Sequence, residues 1–187
     1  MRFAPDSIDD LPLQEEKVRV EETVSAQIPD WSREKPQGFW DPGRKLLLTI
    51  RRYQYWREKQ GMIALCIRKW FVLKHRFWTV MSGAAIELNS RIGGGLLIPH
   101  PNGIVIHPHA TIGVNCLIFQ QVTIGSRGPG IPVIGGHVDI GAGAKILGAV
   151  QVGDHAFIAA NSLVISNVPA ETTAIGVPAK ILPKVPR

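Results

Sequence analysis

The stretch IVIHPHATIGVNCLIFQQVTI, residues 104–124, places isoleucine at every sixth position from Ile106 onward. The spacing continues on both sides, so that thirteen aliphatic residues form two ladders: Ile86, Ile92, Ile98, Ile106, Ile112, Ile118 and Ile124, then Ile134, Ile140, Ile146, Val152, Ile158 and Val164. An α-helix has a hydrophobic period of about 3.6 residues and a strand a period of about 2. A period of six, often with glycine after the aliphatic residue, instead predicts a parallel β-helix of hexapeptide repeats.

The repeat also predicts how the coils stack. Three hexapeptides make one triangular coil, so that inward-facing aliphatic residues of successive coils lie ~4.8 Å above one another. The fourth residue after an aliphatic residue must fit near a corner, and it is small or of modest size: Ser90, Ala110, Cys116, Val122, Val138, Ala144, Val150, Ala156 and Ser162.

Two breaks in the spacing carry extra residues. The step is eight from Ile98 to Ile106, with the extra residues within 99–103, and ten from Ile124 to Ile134, with the extra residues within 125–132. A solenoid accommodates such residues as loops on its faces, and these loops often form a binding surface. We therefore look for the chemistry of the protein at the two breaks.

The remaining segments divide the chain further. Residues 1–38 lack periodicity and are rich in charge and proline, which predicts an acidic, partly disordered arm or one draped on a neighbour. Residues 39–83 predict a basic amphipathic helical pair that begins at Asp41-Pro42, with Gly61 and Gly83 as stops. The β-helix spans 84–170 with a loop at 125–133, and residues 171–187 form a C-terminal extension.

Charge is unevenly distributed along the chain. The net charge is +6, but residues 1–42 carry ten acids and five bases, whereas residues 43–81 carry ten bases and only Glu58 as an acid. A basic surface attracts phosphates, anionic lipid or the acidic arm, or is simply solvated. Because the helices are rich in aromatic residues, we expect them to pack together or against a sister subunit. Nucleic-acid binding is disfavoured, and peripheral membrane contact through residues 43–81 is not the favoured interpretation.

Cysteine usage and hydropathy indicate a reducing cytoplasm. Cys66 and Cys116 are both interpreted as buried thiols, since the chain has no CxxC pair and no Cys/His zinc spacing. The first residues, MRFAPDSIDD, lack the apolar region of a secretory signal. The longest apolar stretch, 62–81, is interrupted by basic residues and is not a simple membrane span.

Two runs resemble a known family: IGGGLLIPHPNGIVIHPHATIGVNCLIFQQVTIG (92–125) and IGAGAKILGAVQVGDHAFIAANSLVISNVPAETTAIGVPAKIL (140–182). They are similar to the hexapeptide acyltransferases, in the serine acetyltransferase-like branch that includes acetyltransferases of exopolysaccharide and colanic acid synthesis. The motif GVPAK at 176–180 matches the closing motif of that family. The resemblance implies a left-handed β-helix, a homotrimer or dimer of trimers, acetyl-CoA as donor, and active sites between subunits.

His100 lies where the family has its catalytic histidine, at the first break. A hydroxyl is not ionised at neutral pH, whereas an imidazole with an ordinary pKa of about 6.5 can accept its proton during attack on a thioester. Such general-base assistance typically contributes about 10²–10⁴-fold. The developing oxyanion needs a donor, and a backbone N–H near Gly125 is a candidate. The alternative for His100 is a loop histidine without a catalytic part.

The sequence departs from serine acetyltransferases at charged positions. Pro99 and Ala85 stand where the family has aspartates, and Gly130-Ile131 stand where it has an Arg-His pair. The resemblance assigns these charges to orienting the imidazole and holding serine. Their absence predicts an acceptor other than serine, or serine bound in a different way, with Glu87 as the nearest carboxylate to take the place of the orienting aspartate.

Small side chains match the coenzyme-lining positions of the family at Ala142, Gly143, Ala159 and Ala160. Lys180 lies where the family has basic residues near the nucleotide phosphates. Ordinary repeat packing is the alternative for the small residues, and a solvated tail is the alternative for Lys180. His107 and His109 are interpreted as solvated turn residues. His137 and His155 are expected to stack one coil apart, and we expect no metal there.

Three functions remain open from the sequence. The favoured one is an acetyl-CoA-dependent O-acetyltransferase that acts on a sugar in polysaccharide biosynthesis, with His100 as general base. The second is serine O-acetyltransferase in cysteine biosynthesis; the final residues KVPR lack the isoleucine-terminated tail of the enzymes that dock to the next enzyme. The third is a non-catalytic trimeric scaffold.

Overall fold

The computed structural model describes residues 24–183. It contains a 3₁₀ turn at Trp31–Glu34, helices α1 (Pro42–Arg57) and α2 (Met62–Ser82), and fourteen short strands. The strands are β1 (Ala85–Ile86), β2 (Arg91–Ile92), β3 (Val105–Ile106), β4 (Thr111–Ile112), β5 (Leu117–Ile118), β6 (Thr123–Gly125), β7 (Val133–Ile134), β8 (Asp139–Ile140), β9 (Lys145–Leu147), β10 (Gln151–Val152), β11 (Phe157–Ile158), β12 (Leu163–Val164), β13 (Thr172–Ile175) and β14 (Lys180–Pro183).

The strands form three sheets, one on each face of the solenoid. Sheet A has the order β1-β3-β6-β9-β12, sheet B the order β10-β7-β4-β2, and sheet C the order β14-β13-β11-β8-β5. All neighbours pair in parallel except β13 and β14. Ile106 pairs with Ile124, and Ile118 with Ile140, which is the predicted stacking of ladder residues. The predicted fold class, a β-helix of hexapeptide repeats after a short helical segment, is confirmed.

The core is the column of ladder residues inside the three sheets. Ile92 is the most exposed member, and its exposed fraction is only 8%. The small residues predicted at the corners are also buried, including Ala110, Cys116 and Ala144. Burying one such aliphatic side chain contributes on the order of 1.5–3 kcal/mol, so the repeat supplies most of the driving force for folding.

Helix α1 closes the open end of the first coil. It begins at Asp41, whose carboxylate accepts the Arg44 N–H at 3.3 Å, with Pro42 in the first turn as predicted. Leu46, Leu47 and Ile50 are buried in the same core as the ladder residues. Helix α2 packs on α1 and ends at Gly83, which adopts φ 67°, a left-handed conformation that glycine tolerates without strain.

Residues 24–34 lie along the solenoid instead of projecting from it as a free arm. The Asn115 side chain donates to the carbonyls of Ser25 and Ile28 at 2.7 Å and accepts the Asp30 N–H at 2.7 Å. Glu34 is buried and forms an ion pair with Arg51 at 2.8 Å. This segment is therefore draped on its own chain, while residues 1–23 of the predicted arm lie outside the described residues.

The turns between sheets form three long edges of the solenoid. The C–A edge contains the turns around 99–103, 119–121, 141–143 and 159–161. The A–B edge contains the turns around 87–90, 107–110, 126–132 and 148–150. The B–C edge contains the turns around 93–95, 113–115, 135–137 and 153–155, and it carries residues 24–31.

Candidate active site

The turns of the C–A edge are joined by a column of backbone hydrogen bonds. Each turn donates to the turn of the preceding coil: Gly103 N–H to Gly83 O, Gln121 N–H to Asn102 O, Gly143 N–H to Gln120 O, and Asn161 N–H to Ala142 O, all at 2.8–2.9 Å. Because each bond links neighbouring coils, residues of this edge are held at a spacing of ~4.8 Å per coil.

His100 lies in the first of these turns, between sheet C of the first coil and sheet A of the second. Its side chain is exposed, and within residues 24–183 its imidazole has no hydrogen-bond partner. Pro99 beside it is exposed as well, and Ala85 lies at the start of β1 on the outer side of sheet A. The described residues therefore leave the ring free to turn toward a ligand, without the carboxylate that would fix its tautomer.

The four small residues predicted to line a coenzyme lie on this same edge. Ala142 and Gly143 are two coils above the turn of His100, and Ala159 and Ala160 are three coils above it. Gly143 has φ +72°, and a Cβ there would lie 2.2 Å from Asn161 Oδ1. The positive φ and the position of the Asn161 side chain thus both favour glycine at 143. Ala160 is exposed and Ala142 half-buried, so the small side chains also leave the outer surface of the edge open.

The closing motif GVPAK folds over the top of the C–A edge. Leu163 N–H donates to the Gly176 carbonyl at 2.9 Å, and Ala179 N–H donates to the Leu163 carbonyl at 2.8 Å. Lys180 follows directly, at the start of β14, with an exposed side chain. The edge therefore runs from an imidazole in its first turn, past small side chains, to a cation at its last.

Gly125 and Glu87 do not belong to the C–A edge. Gly125 ends β6 at the A–B edge, where its carbonyl accepts the Gly148 N–H at 3.1 Å. Glu87 lies on the A–B edge of the first coil, away from the edge of His100, so it does not orient the imidazole of its own chain. Counting the ladder residues in threes leads to the same separation, since Glu87 and Gly125 follow the first and seventh ladder residues whereas His100 follows the third.

Comparisons with known proteins were made for the sequence and for the fold. No known family profile matches the chain. A serine acetyltransferase of Synechococcus elongatus is 37% identical over 107 residues, which cover 55% of this chain and 44% of the relative. Two solved serine acetyltransferases share the fold. The coenzyme A complex from Brucella abortus has a TM-score of 0.66, 31% identity and coverage of 78% of this chain and 57% of that one. The soybean enzyme in complex with serine has a TM-score of 0.64, 34% identity and coverage of 75% and 57%.

The predicted resemblance to serine acetyltransferase-like hexapeptide acyltransferases is confirmed. The chain spans about half the length of the relatives that it matches. The fold match with the Brucella abortus enzyme covers 78% of this chain.

The C–A edge also holds polar residues that the sequence alone did not single out. Asn102 lies two residues after His100, and its Oδ1 accepts a hydrogen bond from Gln121 Nε2 at 3.0 Å. In the same turn, Gln120 Oε1 is buried without a hydrogen-bond partner among the described residues. A buried carbonyl without a donor is costly, so this oxygen would gain a hydrogen bond if the Gln120 side chain turned outward to a donor. The only feature of the sequence that could have pointed to Gln120 is its position in the turn after the inward-facing Ile118.

The other histidines and the cysteines lie away from this edge. His107 and His109 are on the A–B edge, where His107 Nδ1 accepts the His109 N–H at 3.2 Å. His137 and His155 stack on the B–C edge as predicted, with Nδ1 atoms 2.8 Å apart. Within residues 24–183, no three His, Cys, Asp or Glu side chains are grouped as metal ligands.

The two thiols differ in environment. Cys116 is buried as predicted, and its burial raises the pKa of the thiol to about 12. Cys66 is exposed on α2, so the prediction that it is buried is wrong. Helix α2 packs on α1 through its other face, and Cys66 lies on the face that points away from α1.

Proposed function

We propose that the protein is an acetyl-CoA-dependent O-acetyltransferase with His100 as general base. The observation that carries the proposal is the composition of one edge. His100, the small residues at 142–143 and 159–160, and Lys180 follow one another along successive turns of a repeat domain related to serine acetyltransferases. The relative from Brucella abortus is known in complex with coenzyme A, which supports the same donor here.

The proposed reaction needs little besides an imidazole and a positioned thioester. His100 accepts the proton of the acceptor hydroxyl as its oxygen attacks the thioester carbonyl carbon. The carbon–sulfur bond then breaks, and the imidazolium returns the proton to the departing sulfur. The small residues of the C–A edge would flank the pantetheine arm, and Lys180 is available to the phosphates.

Serine is the acceptor that the comparisons favour. The relatives are serine acetyltransferases, and the soybean enzyme is known in complex with serine. The predicted sugar acceptor finds no support in these comparisons. One feature of this chain keeps a different hydroxyl as the second candidate: Ala85, Pro99 and Ile131 supply no charge for the ammonium and carboxylate groups of an amino acid.

We also propose that the active unit is a homotrimer. Gly125 and His100 lie on different edges of one solenoid, so a backbone N–H around Gly125 can serve as oxyanion donor only from a neighbouring chain. Co-expression of His100→Ala and Gly125→Pro chains tests this arrangement, because mixed assemblies regain some sites with both groups intact. Recovery of activity above that of either variant supports shared sites. No recovery from assemblies shown to be mixed would contradict them.

The decisive experiment is an acceptor screen that follows release of the coenzyme thiol. We expect saturable turnover of serine, and a loss of at least a hundredfold for His100→Ala with the fold preserved. His109→Ala is the matched control, because His109 is an exposed turn histidine on another edge. Equal turnover by the His100→Ala protein would remove the catalytic role. Turnover of sugars but not serine would move the acceptor to the second candidate.

A further inference from the structure

Helix α2 carries an apolar stripe that no described residue covers. Of its twenty-one residues only Ala64 and Ser82 are buried. The exposed stripe is Ile63, Cys66, Trp70, Leu73, Phe77 and Val80, and the exposed fractions of Ile63 and Val80 are 75% and 73%. With about 100° between successive residues, the stripe occupies an arc of roughly 100° along a helix ~31 Å long.

Cations border the stripe on both sides. On the helix surface, Lys74 lies along one margin and Lys69 and Arg76 along the other, and all three are exposed. Lys74 Nζ also lies 5.4 Å from the centre of the Trp70 ring. An apolar face between rows of Lys and Arg, with tryptophan in it, is the arrangement of helices that lie in the plane of a membrane interface.

A cationic groove lies between the two helices, next to the stripe. It has a volume of about 350 Å³ and is lined by Lys45, Leu48, Thr49, Arg52, Phe71, Lys74 and Trp78. Lys45 donates to the Phe39 carbonyl and lies 5.2 Å from the centre of the Trp78 ring. Three cations without a carboxylate among the lining residues suit a phosphate group, and Lys74 joins the groove to the stripe.

The aromatic residues ahead of α1 extend the same surface. Phe39 is 91% exposed and Trp40 is 61% exposed. Trp40 makes an edge-to-face contact with Trp78 at 6.1 Å, which brings both residues to the groove. Aromatic rings beside cations are enriched at the level of lipid headgroups, where the ring is half buried and the cation stays in water.

Charge decides which occupant fits this surface. Residues 43–81 hold ten Lys and Arg against the single acid Glu58, so two copies that met through this face would bring together two strongly positive surfaces. Like charges placed opposite each other destabilise an interface, whereas an anionic bilayer offers both negative charge and apolar depth. Neither helix in the described part of the chain is long and apolar enough to cross a membrane, so the contact is peripheral.

We propose that the α1–α2 pair docks on an anionic lipid bilayer, with the stripe of α2 in the interface and a lipid phosphate in the groove. The proposal is independent of the acceptor and of His100. The sequence favoured packing of these helices against each other or a sister subunit, and the structure shows that mutual packing leaves this face uncovered.

Sedimentation of the full-length protein with vesicles tests the proposal. We expect binding to vesicles that contain phosphatidylglycerol, at least tenfold weaker binding to pure phosphatidylcholine, and weakening by salt. Lys74→Glu should lower the partition coefficient at least fivefold, whereas Arg91→Glu, an equal charge change on the solenoid, should lower it less than twofold. Leu73→Gln/Phe77→Gln should lower it at least tenfold, with Ile165→Gln as the control for an exposed apolar residue.

Several results would overturn the proposal. Equal effects of Lys74→Glu and Arg91→Glu would indicate only diffuse attraction by net charge. Competition by millimolar glycerol phosphate, together with indifference to the Leu73/Phe77 variant, would assign the groove to a soluble phosphate. Absence of vesicle binding, with the Leu73/Phe77 variant lowering the mass of the assembly, would assign the face to a second copy. Binding that appears only after the acids between 6 and 22 are replaced by their amides would assign it to that segment.

Discussion

Gly143 lies directly below Asn161 on the C–A edge, and a Cβ on Gly143 would come within 2.2 Å of Asn161 Oδ1. Two neighbouring coils are thus in contact at Gly143. We propose that the coenzyme arm passes along the same part of the C–A edge. The same glycine has φ +72°, which penalises any other residue. A position that the family resemblance assigns to ligand binding is therefore also fixed by the packing of the solenoid.

Gly143→Ala should lower the free energy of unfolding more than Gly128→Ala. Both glycines have positive φ, which costs a non-glycine residue roughly 1–2 kcal/mol, but only Gly143 has atoms in the place of the added Cβ. Gly128 has nothing within 4 Å and isolates the conformational cost. Denaturant titration of both variants measures the difference. Equal losses would mean that the coils separate at no cost.

Glu34→Gln should destabilise the protein by about 3 kcal/mol. Glu34 is 6% exposed, pairs with Arg51 through both of its carboxylate oxygens, and accepts the Leu96 N–H at 3.2 Å. Its neutralisation leaves the partly buried Arg51 guanidinium without a counter-charge, with one amide oxygen and two backbone carbonyls as its remaining acceptors. Urea unfolding checks this, with Glu87→Gln as the exposed control, expected within about 0.5 kcal/mol of the parent. A loss as small as the control's would show that the pair contributes little net stability.

Cys66 and Cys116 should differ sharply toward a thiol reagent at pH 8. Cys66 is exposed and should react at once, whereas burial raises the pKa of Cys116 to about 12 and should delay its reaction until unfolding. Because the folded state holds this proton more tightly, the contribution of the thiol to stability is full below pH 9 and falls as the pH rises toward 12. Ellman titration with and without denaturant, compared with Cys66→Ser, distinguishes the two. Two fast thiols in the native protein would contradict the burial of Cys116.

Lys180→Gln should raise the KM for acetyl-CoA roughly three- to tenfold and leave kcat within about twofold. An exposed cation that meets a phosphate contributes on the order of 1 kcal/mol of binding, and the reacting atoms lie several coils away. Steady-state kinetics at low ionic strength measure the effect, with Arg91→Gln on sheet B as the control. An unchanged KM would return Lys180 to a solvated cation without a role in binding.

The fold was largely predictable because the period of six depends only on chain geometry. Each inward position recurs at a fixed interval, so the ladder from Ile86 to Val164 could be assigned to one core without knowledge of its contacts. Asp41-Pro42 and Gly83 likewise set helix ends through local backbone preferences. The exposure of Cys66 could not be read in this way, since an amphipathic pattern does not state which of its faces finds a partner.

The candidate site was predictable in its residues and in their grouping on one edge, but not in the exposure of each side chain. By itself the sequence determined the coiled repeat, the loop at His100 and the small residues from Ala142 to Ala160, because each follows from spacing or from a family motif. Counting ladder residues in threes also places these residues on one edge and Gly125 on another. Only the tertiary structure decided that residues 24–31 pack on the B–C edge and that α2 keeps an apolar face in solvent. The physical reason is that these segments lie outside the repeat, so their contacts have no period, and exposure is defined by what fails to pack.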